Sequence, residues 1–178
     1  MVKNNRAIFL DRDGTLNKAF KVNRNKKRPP YSIKELKIYK DINILNYFTK
    51  SYFLIITTNQ PDIKKKIQKK SFNNFINKKI KNKIPIKIIY SCECLEIEKN
   101  CKCYKPRNGM IKLAEKKFKL NLKKSYMIGD SWRDIGAGKK SGCTTILINR
   151  DKKKTSMNKY KPDFRIKNLL SLKKIIRN

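Results

Sequence analysis

The chain reads Ala7-Ile8-Phe9-Leu10-Asp11-Arg12-Asp13-Gly14-Thr15, a short apolar run followed by two carboxylates one residue apart. The apolar part predicts a buried strand, and the glycine predicts a turn that ends it. Asp11 and Asp13 should then lie at the carboxyl end of that strand, where open α/β sheets bind their ligands.

Two carboxylates this close repel each other unless a cation, a proton or backbone N–H groups compensate their charge. With such compensation, one can serve as a nucleophile while the other transfers protons, and a divalent metal keeps the pair ionised. The alternative is a solvated Asp-Gly turn, because Asp-x-Asp-Gly is common in loops. The rest of the chain has to decide between these interpretations.

Further apolar runs alternate with helical patterns along the 178 residues. Strands are predicted at 52–56, 84–90, 125–128, 144–148 and near Phe164. Helices are predicted for a short segment that Asp41 would cap, for 63–81, 108–118 and 135–140, and from Asn168 onward. Residues 17–32 lack periodicity and predict a loop. The alternation predicts an α/β fold, a Rossmann-like doubly wound parallel sheet, with residues 1–178 as a single domain.

The N-terminal residues and the lengths of the apolar runs indicate where the protein is located. The N-terminus leads almost directly into the first strand, without a signal-peptide apolar region. No apolar run approaches the roughly 20 residues of a membrane span. We therefore expect a cytoplasmic protein without a membrane partner.

The composition is strongly basic, with 47 Lys and Arg against 13 Asp and Glu and a formal net charge of +34. Such a charge would normally suggest nucleic acid. Yet the basic residues are mostly Lys and are spread through the whole chain, whereas phosphate-reading surfaces favour clustered Arg. We attribute the charge to drift in an A+T-rich genome and expect a monomer without a nucleic-acid partner. A nucleic-acid-binding module stays the alternative from another class.

The chain contains no histidine. This excludes Ser-His-Asp and Cys-His catalysis and every His-ligated metal site. Any acid–base catalysis must use carboxylates, Lys, Tyr or water.

Polar residues follow three of the predicted strands in a particular order. These are Asp11 and Asp13, then Thr58 and Asn59, and finally Asp130 with Asp134; Lys105, just before Pro106 and at the head of a helix, lies between the last two sets. The order resembles the four motifs of the haloacid dehalogenase-like (HAD-like) phosphatases, and the resemblance runs from residue 7 to about residue 150. It implies phosphate ester hydrolysis through an aspartyl phosphate.

The resemblance implies a role for each motif residue. Asp11 would attack phosphorus, and Asp13 would protonate the leaving alkoxide and then deprotonate water. Thr58 and Lys105 would stabilise the transferring phosphoryl oxygens. Asp130 would complete a Mg²⁺ site with Asp11 and the backbone carbonyl of Asp13.

Three neighbouring residues have two interpretations each. Asp134 would contact the metal through water or orient Lys105, with a structural salt bridge as the alternative. Asn59 and Ser131 are candidate substrate ligands, with simple turn residues as the alternative.

Four cysteines form two Cys-x-Cys pairs separated by a short loop: Cys92, Cys94, Cys101 and Cys103. Four thiolates so close suit tetrahedral Zn²⁺ or, less often, an iron–sulfur cluster, and disulfides are disfavoured in a cytosolic chain. Unligated reduced cysteines are the alternative. A metal here would be structural and would fix where Lys105 points, whereas Cys143 predicts a buried packing residue.

The cysteine loop narrows the resemblance to the D-glycero-D-manno-heptose 1,7-bisphosphate phosphatases and the histidinol-phosphate phosphatases. Both typically carry Cys-x-His followed by Cys-x-Cys, a basic residue and Lys-Pro. Here Cys94 replaces the histidine, which zinc chemistry tolerates. Tyr104 stands where the heptose enzymes often have a substrate-recognising Arg, so we take it as a substrate-binding position.

The resemblance also implies that there is no large cap domain, because the segments after Asp13 and Thr58 are too short to fold separately. Substrate selection would fall to the loops 17–32, 60–63 and 92–105. Candidates for binding a second phosphate are Arg24, Arg28 and Arg107.

The function we expect is Mg²⁺-dependent hydrolysis of a phosphorylated sugar, D-glycero-D-manno-heptose 1,7-bisphosphate, at its 7-phosphate, with structural Zn²⁺. The alternatives are a histidinol-phosphate phosphatase and a polynucleotide 3'-phosphatase.

Overall fold

The computed structural model describes residues 5–23, 26–150 and 160–176. Arg24, one of the predicted phosphate-binding arginines, lies outside these described residues.

The strands, in chain order, are β1 Ala7–Leu10, β2 Phe20–Asn23, β3 Lys26–Arg28, β4 Phe53–Asn59, β5 Ile86–Cys92, β6 Tyr126–Gly129, β7 Thr144–Ile148 and β8 Phe164–Ile166. Six of them form one sheet in the order β5-β4-β1-β6-β7-β8, and each neighbouring pair is parallel. β2 and β3 form a separate antiparallel hairpin. The predicted parallel sheet is confirmed, and β1 lies between β4 and β6.

The helices are α1 Pro61–Lys64, α2 Lys70–Lys81, α3 Gly109–Phe118 and α4 Trp132–Ser141, with 3₁₀ segments at Lys40–Phe48, Leu122–Lys124 and Leu169–Lys174. Apolar residues of α2 and of the first and last 3₁₀ segments pack on one face of the sheet. Residues of α3 and α4 pack on the other face. The sheet is therefore covered on both sides, as predicted for a doubly wound fold.

The central strand β1 shows why the apolar run at the start of the chain is continuous. Its side chains alternate, with Ile8 and Leu10 in the core on one face of the sheet. Ala7 and Phe9 belong to the core on the other face. A strand buried on both faces needs apolar residues at every position, and it delivers the carboxylates that follow it to the edge of the sheet.

The predicted loop 17–32 is wrong in part, because it contains the β2–β3 hairpin. Phe20 pairs with Arg28 across the two strands. The Arg28 guanidinium lies 4.9 Å from the Phe20 ring centre and 4.4 Å from that of Tyr31. Cation–π contacts of this kind stabilise a hairpin whose other residues are mostly polar.

The single helix predicted for 63–81 is also wrong, because α1 and α2 are separate. Lys66 adopts a positive φ of 58° between them. The backbone N–H groups of Ile67 and Gln68 both donate to the Asp62 carbonyl. This tight turn ends α1 after one turn, and the apolar stripe resumes in α2, where Ile76 and Ile80 are buried.

Asp41 does not cap a helix. The 3₁₀ segment begins at Lys40, and the Asp41 carboxylate accepts hydrogen bonds from the Arg150 guanidinium and from the backbone N–H of Leu169. It therefore joins the segment to the chain just after β7 and to the start of the last 3₁₀ segment.

Cys143 is buried among apolar residues, as predicted, whereas the apolar Leu113 of α3 is 55% exposed. Among the described residues there is no helix with the length and apolar character needed to cross a bilayer.

Candidate active site

The predicted motif residues converge at the carboxyl ends of three neighbouring strands. Asp11 follows β1, Thr58 and Asn59 end β4, and Asp130 follows β6. Because β4, β1 and β6 are adjacent in the sheet, segments that are far apart in the sequence meet at one edge. Sheet order, which the motifs alone do not reveal, creates this site.

Lys105 lies at the centre of the site and is 2% exposed. Its Nζ donates to Asp11 Oδ1 at 2.8 Å, to Asp134 Oδ1 at 2.6 Å and to the Thr57 carbonyl at 2.7 Å. Burial disfavours the ammonium, but the two carboxylates more than offset this and raise the pKa of Lys105. The lysine therefore remains charged and links the predicted nucleophile to α4.

Asn59 fixes the backbone of Lys105. The Asn59 Oδ1 accepts from the Lys105 N–H at 3.0 Å, and its Nδ2 donates to the Lys105 carbonyl at 3.1 Å. The amide thus bonds both backbone groups of one residue, so the end of β4 positions the segment that carries Lys105.

Asp13 is surrounded by N–H donors. Its Oδ2 accepts from the Gln60 Nε2 at 2.6 Å and from the Arg12 Nη2 at 2.8 Å. Its Oδ1 accepts from Asn17 Nδ2 at 2.9 Å. The same Gln60 amide donates to Thr58 Oγ1 at 2.8 Å, which joins Asp13 to the predicted phosphoryl-binding hydroxyl.

Asp134 is held in place by the start of α4. Its Oδ2 accepts from the Ser131 N–H at 3.1 Å and from the Ser131 hydroxyl at 2.6 Å. The helix carries a capping box, in which Ser131 and Asp134 exchange bonds between side chain and backbone. The Ser131 hydroxyl thus serves Asp134, and direct substrate contact by Ser131 stays a prediction.

Carboxylate oxygens of Asp11, Asp130 and Asp134 all lie within 4.8 Å of one another. Burial raises the pKa of Asp11 well above its usual value, against the opposing charge of Lys105, and burial likewise raises the pKa of Asp130. Lys27 of β3 pairs with Asp130 at 2.7 Å. A cluster of hard oxygen donors whose mutual repulsion calls for a cation fits Mg²⁺.

Gly14 lets the turn after Asp13 pass beside this cluster. Its φ is +104°, which L side chains rarely adopt, and a Cβ here would collide with the Asp130 carboxylate. The glycine in the opening motif therefore serves both the turn and the approach of two strand ends.

The two Cys-x-Cys pairs come together at the end of β5 and before Lys105. The Sγ atoms are 3.6 Å apart for Cys92 and Cys101, 3.9 Å for Cys94 and Cys103, and 3.4 Å for Cys101 and Cys103. A disulfide needs about 2.05 Å, and all four are free thiols. Tetrahedral zinc with Zn–S bonds of about 2.3 Å requires sulfur separations of about 3.8 Å, so the cluster fits that ion.

The thiols of the cluster also differ in acidity. Burial raises the pKa of the Cys92 thiol. Burial also opposes ionisation of Cys101, but hydrogen bonds from Cys94 and the Tyr104 N–H outweigh it and lower the pKa of Cys101 to about 6. Tyr104 itself is buried against the cluster.

Known proteins are similar to this chain in sequence and in fold. The HAD-hydrolase-like family model matches residues 102–172. A Campylobacter jejuni protein named D-glycero-alpha-D-manno-heptose-1,7-bisphosphate 7-phosphatase is 35% identical over 156 residues, which cover 83% of this chain and 85% of that protein. This chain belongs to the HAD-like heptose-bisphosphate phosphatase family.

A further relative and a solved structure are also similar to this chain. A Helicobacter pylori protein named as the 7-phosphatase of the beta form is 31% identical and covers 78% of this chain and 79% of its own length. The solved D,D-heptose 1,7-bisphosphate phosphatase of B. bronchiseptica, complexed with magnesium and phosphate, superposes with a TM-score of 0.78. It covers 95% of this chain and 96% of its own at 20% identity, and it shows the fold.

Sequence reasoning placed most of the site but missed several contributors. The structure brings together Asp11, Asp13, Thr58, Lys105, Asp130 and Asp134, and separately the four cysteines. It pairs Arg28 with Glu35, and it leaves Nη1 of Arg107 buried without a hydrogen-bond partner. Arg12, Asn17, Gln60 and Lys27 were missed. For Gln60 the signal was present, because it directly follows Thr58 and Asn59 at a strand end.

Proposed function

We propose that this chain is a Mg²⁺-dependent phosphoric monoester hydrolase that removes the 7-phosphate of D-glycero-D-manno-heptose 1,7-bisphosphate in the cytoplasm. The observation that carries the proposal is the contact of Lys105 Nζ with both Asp11 and Asp134, at one edge of the sheet. A carboxylate held by a buried cation beside two further carboxylates is suited to phosphoryl transfer. The relatives' names supply the substrate.

In the first half of the reaction, Asp11 attacks phosphorus, and the bond from phosphorus to the sugar oxygen breaks. Asp13 donates a proton to the departing alkoxide. The product is an aspartyl phosphate and a sugar with a free hydroxyl. Lys105 and Thr58 stabilise the negative charge on the transferring phosphoryl oxygens.

In the second half, water attacks phosphorus and the bond to Asp11 breaks. Asp13 accepts a proton from that water, which returns it to its starting form. Inorganic phosphate leaves and the Asp11 carboxylate is regenerated. One carboxyl group thus serves as the acid and then as the base.

Mg²⁺ would be held by Asp11, Asp130 and the backbone carbonyl of Asp13, and would neutralise charge on the phosphate oxygens. The neighbouring side chains form hydrogen bonds with the carboxylates and would not bind the ion itself. Lys105 and Ser131 orient Asp134, which lies in the same carboxylate cluster.

Zn²⁺ would be held by the four cysteines in a structural role. Cys103 lies two residues before Lys105 in the chain, and the Gln60 N–H donates to the Cys92 carbonyl at 2.7 Å. A metal held here would brace the cysteine loop next to the end of β4 and would limit the movement of Lys105.

Substrate selection is proposed for the loops around this site. Asn59 contacts the backbone of Lys105 and Tyr104 packs on the cysteine cluster, so each lies at the boundary between site and loop. The buried Nη1 of Arg107, three residues after Tyr104, is an unused donor and supports this residue as a contact for the second phosphate.

A substrate panel tests the proposal. We expect kcat/KM with Mg²⁺ to be highest for one anomer of the heptose 1,7-bisphosphate, and far lower for histidinol phosphate and for an oligonucleotide 3'-phosphate. Preference for histidinol phosphate would assign the chain to the alternative enzyme. DNA binding that survives physiological salt, measured by titration, would instead favour the nucleic-acid class.

A further inference from the structure

The hydrogen bonds of Asp13 are distributed unequally between its two oxygens. Oδ2 accepts three, from Gln60 Nε2 at 2.6 Å, Arg12 Nη2 at 2.8 Å and Arg12 Nε at 3.1 Å. Oδ1 accepts from Asn17 Nδ2 at 2.9 Å. Since a carboxylate oxygen offers about two lone-pair positions, Oδ2 has no place for a proton while these bonds last.

Arg12 is a buried guanidinium with no exposed surface. Besides Asp13, it donates from Nη1 to Asn73 Oδ1 at 2.5 Å and to Asn77 Oδ1 at 2.9 Å, both on α2. Buried arginines need such partners on every side because an unpaired buried charge is costly. The planar guanidinium thus bridges α2 to one oxygen of Asp13.

Gln60 closes the other side of Asp13 and is 1% exposed. Its two amide hydrogens go to Asp13 Oδ2 and to Thr58 Oγ1, and its backbone N–H is bound to the Cys92 carbonyl. The side chain therefore cannot turn without breaking a bond to a residue of the site.

We propose that Arg12 and Gln60 are positioning residues that hold Asp13 by Oδ2 and so confine its transferable proton to Oδ1. This rests on the proposed function. In the first half-reaction the Oδ1–H bond breaks and the proton passes to the sugar oxygen as the phosphorus–oxygen bond breaks. In the second half a proton leaves water for Oδ1 while the water oxygen bonds to phosphorus and Asp11 is released.

The test is Gln60→Met, compared on two esters that differ in their need for an acid. The sugar phosphate has a strongly basic leaving oxygen, whereas p-nitrophenyl phosphate has a leaving group that departs without a proton. We expect kcat for the sugar ester to fall about 10- to 100-fold with KM close to that of the wild type, a part of the roughly 10²–10⁴-fold that general acid–base catalysis supplies. The solvent deuterium isotope effect on this kcat should rise.

The aryl ester should behave differently, because only its second half-reaction requires Asp13. We expect a burst of one equivalent of nitrophenolate per enzyme followed by slow turnover. A variant that is merely loosened should lose both esters by the same factor, with no burst and an unchanged isotope effect, and that result would overturn the inference.

The chain offers a matched control in Gln68, another buried glutamine whose Oε1 also has no partner. Its Nε2 donates to the Pro30 carbonyl at 2.8 Å instead of to a carboxylate. Gln68→Met should lower the melting temperature comparably without changing the ratio of the two esters or the isotope effect. A changed ratio in this control would contradict the assignment to Gln60.

If Gln60→Met does not fold, Arg12→Lys is the second variant to measure. It keeps the charge but loses the planar guanidinium that donates two hydrogen bonds to one oxygen, so the solvent deuterium isotope effect should again rise.

Wild-type kinetics distinguish a failure of the proposed function from a failure of the proposed positioning of Asp13. A wild type that hydrolyses neither ester contradicts the proposed function. An active wild type with proportional losses in both variants contradicts only the positioning of Asp13.

Discussion

At the scale of single residues, Lys105 is a buried cation that contacts two carboxylates. It shares its charge between Asp11 and Asp134, with both contacts below 3 Å. Removing one member of a buried ionic group typically costs about 3–5 kcal/mol when it leaves a charge unpaired. Here the loss of Asp11 still leaves Lys105 paired with Asp134, so Asp11 can be changed without exposing the lysine to that full penalty.

Asp11→Asn should therefore abolish turnover while the protein stays folded. We expect kcat to fall by about 10⁵-fold or more, the scale on which removing a covalent nucleophile acts, with the circular dichroism spectrum retained. Glu115→Gln is a control, since Glu115 pairs with Lys112 on the exposed side of α3. Activity of Asp11→Asn near the wild-type level would refute Asp11 as the nucleophile.

The Arg28–Glu35 pair predicts a pH dependence of stability. Hydrogen bonds from Arg28, and next from the Tyr31 N–H, lower the pKa of Glu35 to about 2, against about 4.3 for an unperturbed Glu. A pKa lowered by folding stabilises the native state above the unfolded value and loses that effect as the pH falls through the folded value. The contribution should be complete at pH 6 and vanish between about pH 4.3 and pH 2.

Glu35→Gln measures that contribution directly. The difference in urea midpoint between the wild type and this variant should be largest at pH 6 and should shrink steadily below pH 4.3. A difference that stays constant down to pH 2.5 would contradict the ionic origin of the stabilisation.

At the scale of elements, the cysteine loop positions a segment of the site, as helices and strands do elsewhere in the fold. It connects β5 to the segment carrying Lys105, and its thiols lie 3.4–3.9 Å apart. With Mg²⁺ in excess, a zinc chelator should lower both the melting temperature and the activity, because the loop would lose its cross-link. Activity lost at an unchanged melting temperature would indicate a catalytic zinc instead.

Metal content provides the matched comparison for this prediction. Cys101→Ser should reduce bound zinc from one ion per chain, measured by elemental analysis. Cys143→Ser removes a thiol that is buried in the core away from the cluster and should retain the ion. Loss of zinc in both variants would count against the four-cysteine site.

Elements also show where sequence patterns were sufficient. The strands on both sides of β1 could be predicted because a doubly buried strand needs an uninterrupted apolar run. The break between α1 and α2 could not, since residues 65–69 contain neither Gly nor Pro. It depends on distant contacts: Tyr31 donates from its hydroxyl to Asp62 and Gln68 to the Pro30 carbonyl. Tertiary contacts of this kind override local helix propensity.

At the scale of the whole molecule, a chain with a net charge of +34 carries a candidate site built from acidic residues. Most of the 13 acidic residues would be expected on the surface, yet Asp11 and Asp134 are buried at the edge of the sheet. A basic exterior attracts anionic substrates over distances of about a Debye length. The charge therefore needs no nucleic-acid partner to be useful.

The molecule as a whole also shows why sequence reasoning found the motif residues but not Arg12. Motif carboxylates are recognisable because their type and order carry chemistry. A charged residue beside a turn is ordinarily solvated, and only the approach of α2, set by the complete fold, turns Arg12 into a buried link. A side chain that acts through another residue does not produce a recognisable spacing in the sequence.

The loop between the two cysteine pairs has a consequence for how this architecture can diversify. The thiols of Cys92 and Cys101 lie 3.6 Å apart at its base, while Ile97 in the middle is 82% exposed. Insertions and deletions between the pairs would be absorbed at the tip without transmitting strain to Lys105. Changes in the length or sequence of this exposed tip could therefore alter substrate preference while Asp11 and Asp13 stay unchanged.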